Sequence, residues 1–423
     1  MIYFDNAATG GFKPQRVIDA CTTAIKYLTA NPGRSGHRLS VTGAETISNT
    51  RQAVAETFGG TADRVIFTKN CTESLNTAIF GLCKAGDHVI TTVFEHNSVL
   101  RPLFALKNAG VISLSVVAPK LSEVELEQSK VTPKLSEEEL EQSKVAPARS
   151  EVAPVRSEVA TDRVYGKFND NALLDAIKGA ITDKTSVIVM TAVSNVTGTV
   201  MPVSEVGAIC KEKNITFIVD GAQGGGHVPL DVKQQNISAL CLAGHKGLYG
   251  IMGSGVLVFS ENTNISPLTY GGTGSDSFNE NQPSFYPDKL ESGTLNLPSI
   301  VALNEGIRYL KNNFLEFSHI LTERTALIIN ELLENPFITC YSSINPAGIV
   351  SFSVKNLDSN QVADILNDKY DVAVRGGFHC APLCHKFLQT DNTGLVRVSL
   401  SAQNSKTEIN YFLRAIKQIT SNL

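Results

Sequence analysis

The residues of this chain that could do chemistry stand at the ends of apolar runs. Lys246 follows the run 239–242, in Ala243-Gly244-His245-Lys246. An amine placed there can condense with a carbonyl compound, or it can be a solvated loop lysine. Asp220 ends the run 216–219. A carboxylate at the C-terminal edge of a parallel sheet points into a ligand crevice, or it caps a helix. Asn70-Cys71-Thr72-Glu73 follows 64–68 and opens a helix. Its amides and the Thr72 hydroxyl suit a phosphate, or they form an ordinary N-cap. His96, in Glu95-His96-Asn97-Ser98, can stack on a flat ligand or sit in the core. Cys380, in Phe378-His379-Cys380-Ala381, is a nucleophile if its thiolate is favoured, and otherwise an inert buried thiol.

A lysine, a buried acid, a phosphate-binding helix start and a flat side chain are the parts that pyridoxal phosphate needs. The lysine holds the cofactor as a Schiff base, and the acid keeps its ring nitrogen protonated so that the ring draws electrons. The elements that must position these parts follow from periodicity. Short apolar runs at 64–68, 89–92, 111–117, 186–191, 216–219, 239–242 and 255–259 alternate with amphipathic stretches such as 203–213. This alternation predicts an α/β fold with a mostly parallel seven-stranded sheet covered on both faces. Beyond residue 262 a long helical stretch, 299–334, precedes strand-like runs at 348–354, 372–375 and 395–400. These predict a smaller α+β domain. The expected division is a large domain over 15–262 and a small domain formed by 1–14 and 263–423.

One stretch departs from the pattern. Residues 119–131 (PKLSEVELEQSKV) recur almost unchanged at 133–145, and two shorter units follow. The segment 119–161 carries six basic and nine acidic residues and no aromatic one. It lacks the apolar surface to offset its ordering entropy and is expected to be a surface insertion; two short helices, 121–129 and 135–143, are compatible with its pattern.

At 423 residues, 42% hydrophobic and 18% charged, the chain is long enough for two domains with a sizeable core. A net charge of −4 gives no reason to expect a nucleic-acid partner. No apolar run is long enough to span a bilayer, and residues 1–5 carry no signal-peptide pattern. The eight cysteines are scattered. A cytoplasmic protein with free thiols is expected. Two histidines and two cysteines within 379–385 fit no closed zinc pattern, and no metal is expected.

In order and spacing the motifs resemble the class V aminotransferase group of fold-type I pyridoxal-phosphate enzymes, and within it the cysteine desulfurases and selenocysteine lyases. The resemblance runs from Phe4-Asp5-Asn6-Ala7-Ala8-Thr9 through Thr72-Glu73, Glu95-His96-Asn97-Ser98, Ser194-Asn195, Asp220-Gly221-Ala222-Gln223 and Gly244-His245-Lys246 to Glu291-Ser292-Gly293-Thr294 and the Cys380 loop. It implies Lys246 as the cofactor lysine, Asp220 as partner of the ring nitrogen and His96 stacked on the ring. Gln223 and Asn195 would reach the ring oxygen. Cys71 through its amide, Thr72 and His245 would hold the phosphate. The family usually has a hydroxyl residue where this chain has Ala243. Thr273, in Gly271-Gly272-Thr273-Gly274, would add a donor from a second subunit, implying a homodimer. Cys380 would take sulfur from L-cysteine, or selenium from selenocysteine, as a persulfide for a sulfur-acceptor protein. His379, Arg375 or the substrate would favour its thiolate. The substrate carboxylate would be gripped by a two-pronged contact with Arg397, helped by Asn195 and Arg375. A transaminase or β-eliminating lyase of the same fold is the alternative, and a catalytically idle relative is disfavoured by the intact set of residues.

Overall fold

The computed structural model describes residues 1–33, 35–120, 170–421 and 423. The chain opens with β1 (Ile2–Tyr3) and helices Gln15–Tyr27 and Arg38–Phe58. Seven strands then build the main sheet: β2 (Val65–Thr68), β3 (His88–Thr92), β4 (Ser113–Val117), β5 (Thr185–Thr191), β6 (Thr216–Asp220), β7 (Ala239–Ala243) and β8 (Gly255–Phe259). Their order across the sheet is β2-β8-β7-β6-β5-β3-β4. All run parallel except β8, which is antiparallel to both of its neighbours. Every residue of β7 and β8 is buried, as expected for strands covered on both faces. β4 lies at the edge and is the most exposed strand of the sheet.

The seven expected strands are all present, with ends displaced by at most two residues. Asp220 and Ala243, read as following their strands, are the last residues of β6 and β7. Asp220 therefore sits in register with Thr191 on β5 and Cys241 on β7, a fixed place in the sheet.

A second layer is built from β9 (Ile338–Cys340), β10 (Ile349–Val354) and β12 (Val396–Ser399), an antiparallel sheet in the order β12-β10-β9. β11 (Val372–Ala373) pairs with β1, so the N-terminus is clipped to the C-terminal part of the chain. The run expected as a strand over 372–375 is shorter, and an isolated bridge joins Arg375 to Arg397. Helix Lys406–Thr420 covers this sheet with Ile409, Phe412, Leu413, Ile416 and Ile419, spaced on one helical face. Its N-terminus is closed by a capping box between Ser405 and Glu408. Helix Leu297–Leu333 is shared. Leu297 to Phe317 pack in the core of the large sheet, and Leu321 to Leu332 pack in the core of the small one. The repeats of 119–161 and their two expected helices fall, apart from residues 119 and 120, outside the described residues.

Candidate active site

Six parallel strands deliver their C-terminal ends to one side of the sheet, and there a cavity of about 230 Å³ opens. Cys71, Thr72, His96, Asn195, Asp220, Gln223, His245, Lys246, Arg375 and Arg397 all line it. Sequence reasoning named each of them, and the fold brings all ten together.

The turn after β7 presents Lys246. It is tied by Gly244 N–H donating to Ser254 O at 2.9 Å and Gly250 N–H donating to Gly244 O at 2.8 Å. Gly247 must lack a side chain, because a Cβ there would meet the Gly225 carbonyl and would lie 2.8 Å from His227 Cε1. The Lys246 ammonium has no hydrogen bond or ion pair within the described chain. Burial lowers its pKa, against the opposing charges of Cys71 and Asp220. That favours the neutral, nucleophilic amine.

Asp220 is 3% exposed. Its Oδ1 accepts from Ala222 N–H at 2.9 Å and from the Cys71 thiol at 3.5 Å. Among the described residues its Oδ2 has no hydrogen-bond partner. Burial raises its pKa, and the Ala222 amide and the Lys246 charge act against that rise. The acid is one that a cationic ring nitrogen would satisfy.

Helix Cys71–Leu82 starts at the rim of the cavity. Asn70 caps it by accepting from Glu73 N–H at 2.9 Å, while the Cys71 and Thr72 amides are left without partners among the described residues. Free amides at a helix start suit an anion. Thr72 Oγ1 lies 2.8 Å from Ser98 Oγ, which lies 2.9 Å from His96 Nδ1. His96 also accepts from Ser98 N–H at Nδ1, so its proton resides on Nε2. Burial and the charge of Lys246 lower its pKa to about 4, which leaves a neutral, flat ring. A phosphate at one end, a basic ring nitrogen at the other and a carbonyl beside Lys246 describe pyridoxal phosphate, and these residues fit it.

The N-terminal segment forms the floor, a role that periodicity did not indicate. Gln223 Nε2 donates to Ala7 O at 2.9 Å, and Lys13 Nζ donates to His245 O at 3.1 Å. His245 Nδ1 lies 3.0 Å from Thr9 Oγ1, and burial brings its pKa to about 4. The one forward signal was the motif at residues 4–9. Glu95, which feels the charge of Asp220 but does not line the cavity, was not singled out by sequence reasoning. It is wholly buried, accepts at Oε1 from Thr92 Oγ1 at 2.6 Å and Thr191 N–H at 3.1 Å, and leaves Oε2 unpaired.

Arg397 is 1% exposed. It donates from Nη2 to Asp5 Oδ1 at 2.8 Å and from Nη1 to Asn195 O at 3.0 Å. The two-pronged grip expected for a substrate carboxylate is thus already divided between two partners, and among the described residues only Nε lacks one. Arg375, held beside it by the backbone bridge, makes no ion pair among the described residues and is the freer cation.

Cys380 is exposed at the rim, outside the set of residues that line the cavity. Its carbonyl accepts from Asn97 N–H at 2.7 Å, one residue from His96. His379 and Cys380 both have positive φ, 49° and 57°. Such strained non-glycine backbone persists only when its surroundings hold it. Here Asn195 Nδ2 donates to His379 O at 2.7 Å, and the His379 ring bonds Leu395 O at 3.1 Å. Burial drives the His379 pKa well below its usual value, so this imidazole is neutral. Of the two side chains expected to attract a thiolate, Arg375 carries the charge, with Nη2 4.0 Å from Cys380 Sγ. Cys384 is fully buried, and burial raises its pKa to about 12, so it is a packing thiol. Thr273 lies away from this cavity, on a separate one of about 450 Å³ with Arg51 and Glu291.

The model of the aminotransferase class-V family matches residues 2–140 and 158–412. A probable cysteine desulfurase of Pyrococcus abyssi is 31% identical, over 100% of this chain and 95% of that protein. Another from Borreliella burgdorferi is 30% identical, over 100% of this chain and 92% of its own. Among solved structures, the apo cysteine desulfurase of Thermococcus onnurineus matches with a TM-score of 0.80 at 29% identity, covering 100% of this chain and 95% of that one.

Proposed function

The chain belongs to the class V aminotransferase family and is a cysteine desulfurase, and we propose that it moves sulfur from L-cysteine onto Cys380 with pyridoxal phosphate held at Lys246. The observation that carries this reading is the convergence of the ten expected residues on one cavity, with an exposed thiol anchored at its rim.

When bound, the cofactor supplies an electron sink for the bonds at the α-carbon of the amino acid. Asp220 Oδ2 would pair with its ring nitrogen, and His96 would cover one face. The Cys71 and Thr72 amides with His245 would hold its phosphate. Thr273 of a second copy would supply the donor that Ala243 lacks, which makes a homodimer part of the proposal. Arg375 and Arg397 orient the substrate carboxylate. Lys246 Nζ takes the α-proton and, once sulfur has left, returns a proton to the α-carbon. Cys380 Sγ bonds to the substrate sulfur as the Cβ–S bond breaks, and carbon keeps the electron pair. That carbon is protonated to give alanine, while sulfur is oxidised to the persulfide level, so no outside oxidant is needed. A cytoplasmic setting with a sulfur-accepting partner completes the reading.

The test incubates the holoenzyme with L-cysteine and a reductant, beside Cys380→Ala. Alanine and sulfide in equal amounts are expected, with the variant keeping its cofactor absorbance and losing most turnover. Pyruvate and ammonia as products, or an unaffected variant, would overturn the proposal.

A further inference from the structure

Cys71 carries more than a backbone amide. It is the first residue of its helix, its side chain is 6% exposed, and its thiol points away from the helix start toward the end of β6. There it donates to Asp220 Oδ1 at 3.5 Å, within the range of a hydrogen bond from sulfur. The same oxygen accepts the Ala222 amide at 2.9 Å. Two donors on Oδ1 fix the rotation of the carboxylate, and among the described residues nothing bonds Oδ2 in the wall of the cavity. The titratable groups around Asp220 are Cys71 from the helix, Cys241 from β7, Lys246 from the turn and Glu95. Burial holds both thiols protonated, so Cys71 stays a donor. Cys241 has no hydrogen bond to the carboxylate.

We infer that Cys71 is a positioning residue that aims Asp220 at the ring nitrogen of the cofactor, by occupying one carboxylate oxygen and leaving the other free. The inference rests on the function proposed above. It gives one residue two tasks, an amide toward the phosphate end and a thiol that sets the acid at the opposite end. Without the thiol, Asp220 loses a donor that favours its charged form and becomes a stronger proton acceptor. The shared proton then moves from the ring nitrogen toward the carboxylate, and the ring draws electrons less well.

The experiment compares wild type, Cys71→Ser and Cys71→Val as holoenzymes carrying cofactor isotope-labelled at the ring nitrogen. Serine keeps a donor, and valine keeps the bulk without one. Nuclear magnetic resonance is expected to show a protonated ring nitrogen in wild type and Cys71→Ser, and a shift toward the unprotonated position in Cys71→Val. The loss of one hydrogen bond to a charged group should lower kcat of Cys71→Val about three- to tenfold with KM little changed, and serine should restore it. If Cys71→Val does not fold, Cys71→Ala takes its place. An unchanged nitrogen signal in the donor-free variant, with cofactor bound and wild type active on L-cysteine, would overturn this inference alone. Failure of wild type to bind the cofactor would overturn it together with the proposed function.

Discussion

Asp5→Asn tests whether Arg397 is shared between the fold and the substrate. The ion pair joins a side chain 22% exposed to one 1% exposed, at 2.8 Å. Truncating one partner of a buried pair costs about 3–5 kcal/mol. Asparagine keeps an acceptor for Nη2 and loses only the charge, and Asp5 is partly solvated, so a cost of about 1–3 kcal/mol is expected. In a chain of this length that lowers Tm by about 1–3 °C. The same change leaves the Arg397 charge uncompensated at the cavity, where it attracts a substrate carboxylate more strongly. A gain of about 1 kcal/mol at that contact lowers KM for L-cysteine roughly fivefold. Thermal denaturation and steady-state kinetics on the holoenzyme read both effects, and a lower Tm with a lower KM is the expected pair. A lower Tm with an unchanged or higher KM would refute the reasoning, because Asp5 would then serve the fold alone.

Two further outcomes follow from the geometry. Glu95 is buried and its pKa stands raised to about 8 from 4.5, chiefly by desolvation. The folded protein therefore keeps a proton that the unfolded chain releases, so this group's contribution is full below about pH 4.5 and fades as pH rises toward 8. Glu95→Gln should match wild type in Tm near pH 5 and exceed it at pH 8; parallel Tm curves would contradict this. Gly247→Ala places a Cβ against the Gly225 carbonyl and the His227 ring, and should displace the turn that carries Lys246 at a cost of about 1–3 kcal/mol. Weakened cofactor binding, read from visible absorbance during titration, checks it, and wild-type affinity would show that the turn has room.

Much of the site was legible in the sequence because a parallel sheet converts order along the chain into convergence in space. Residues that follow apolar runs arrive at one edge, so Lys246, Asp220 and Thr72 could be placed together from periodicity, and the family resemblance assigned their tasks. Local pattern also marked the helix start at Asn70, since a cap and its first turn lie within four residues. What each side chain touches was decided by tertiary structure alone. Asp5 and Arg397 meet across 392 positions, and the Cys71 thiol and Asp220 across 149. Such pairs leave no periodic trace. The sequence therefore proposed Arg397 as a carboxylate ligand without showing that Asp5 and Asn195 already hold it. It identified Cys71 by its amide without showing where the thiol points. Composition and spacing determined which groups stand at the crevice, whereas packing between distant segments determined which of their atoms are free to act.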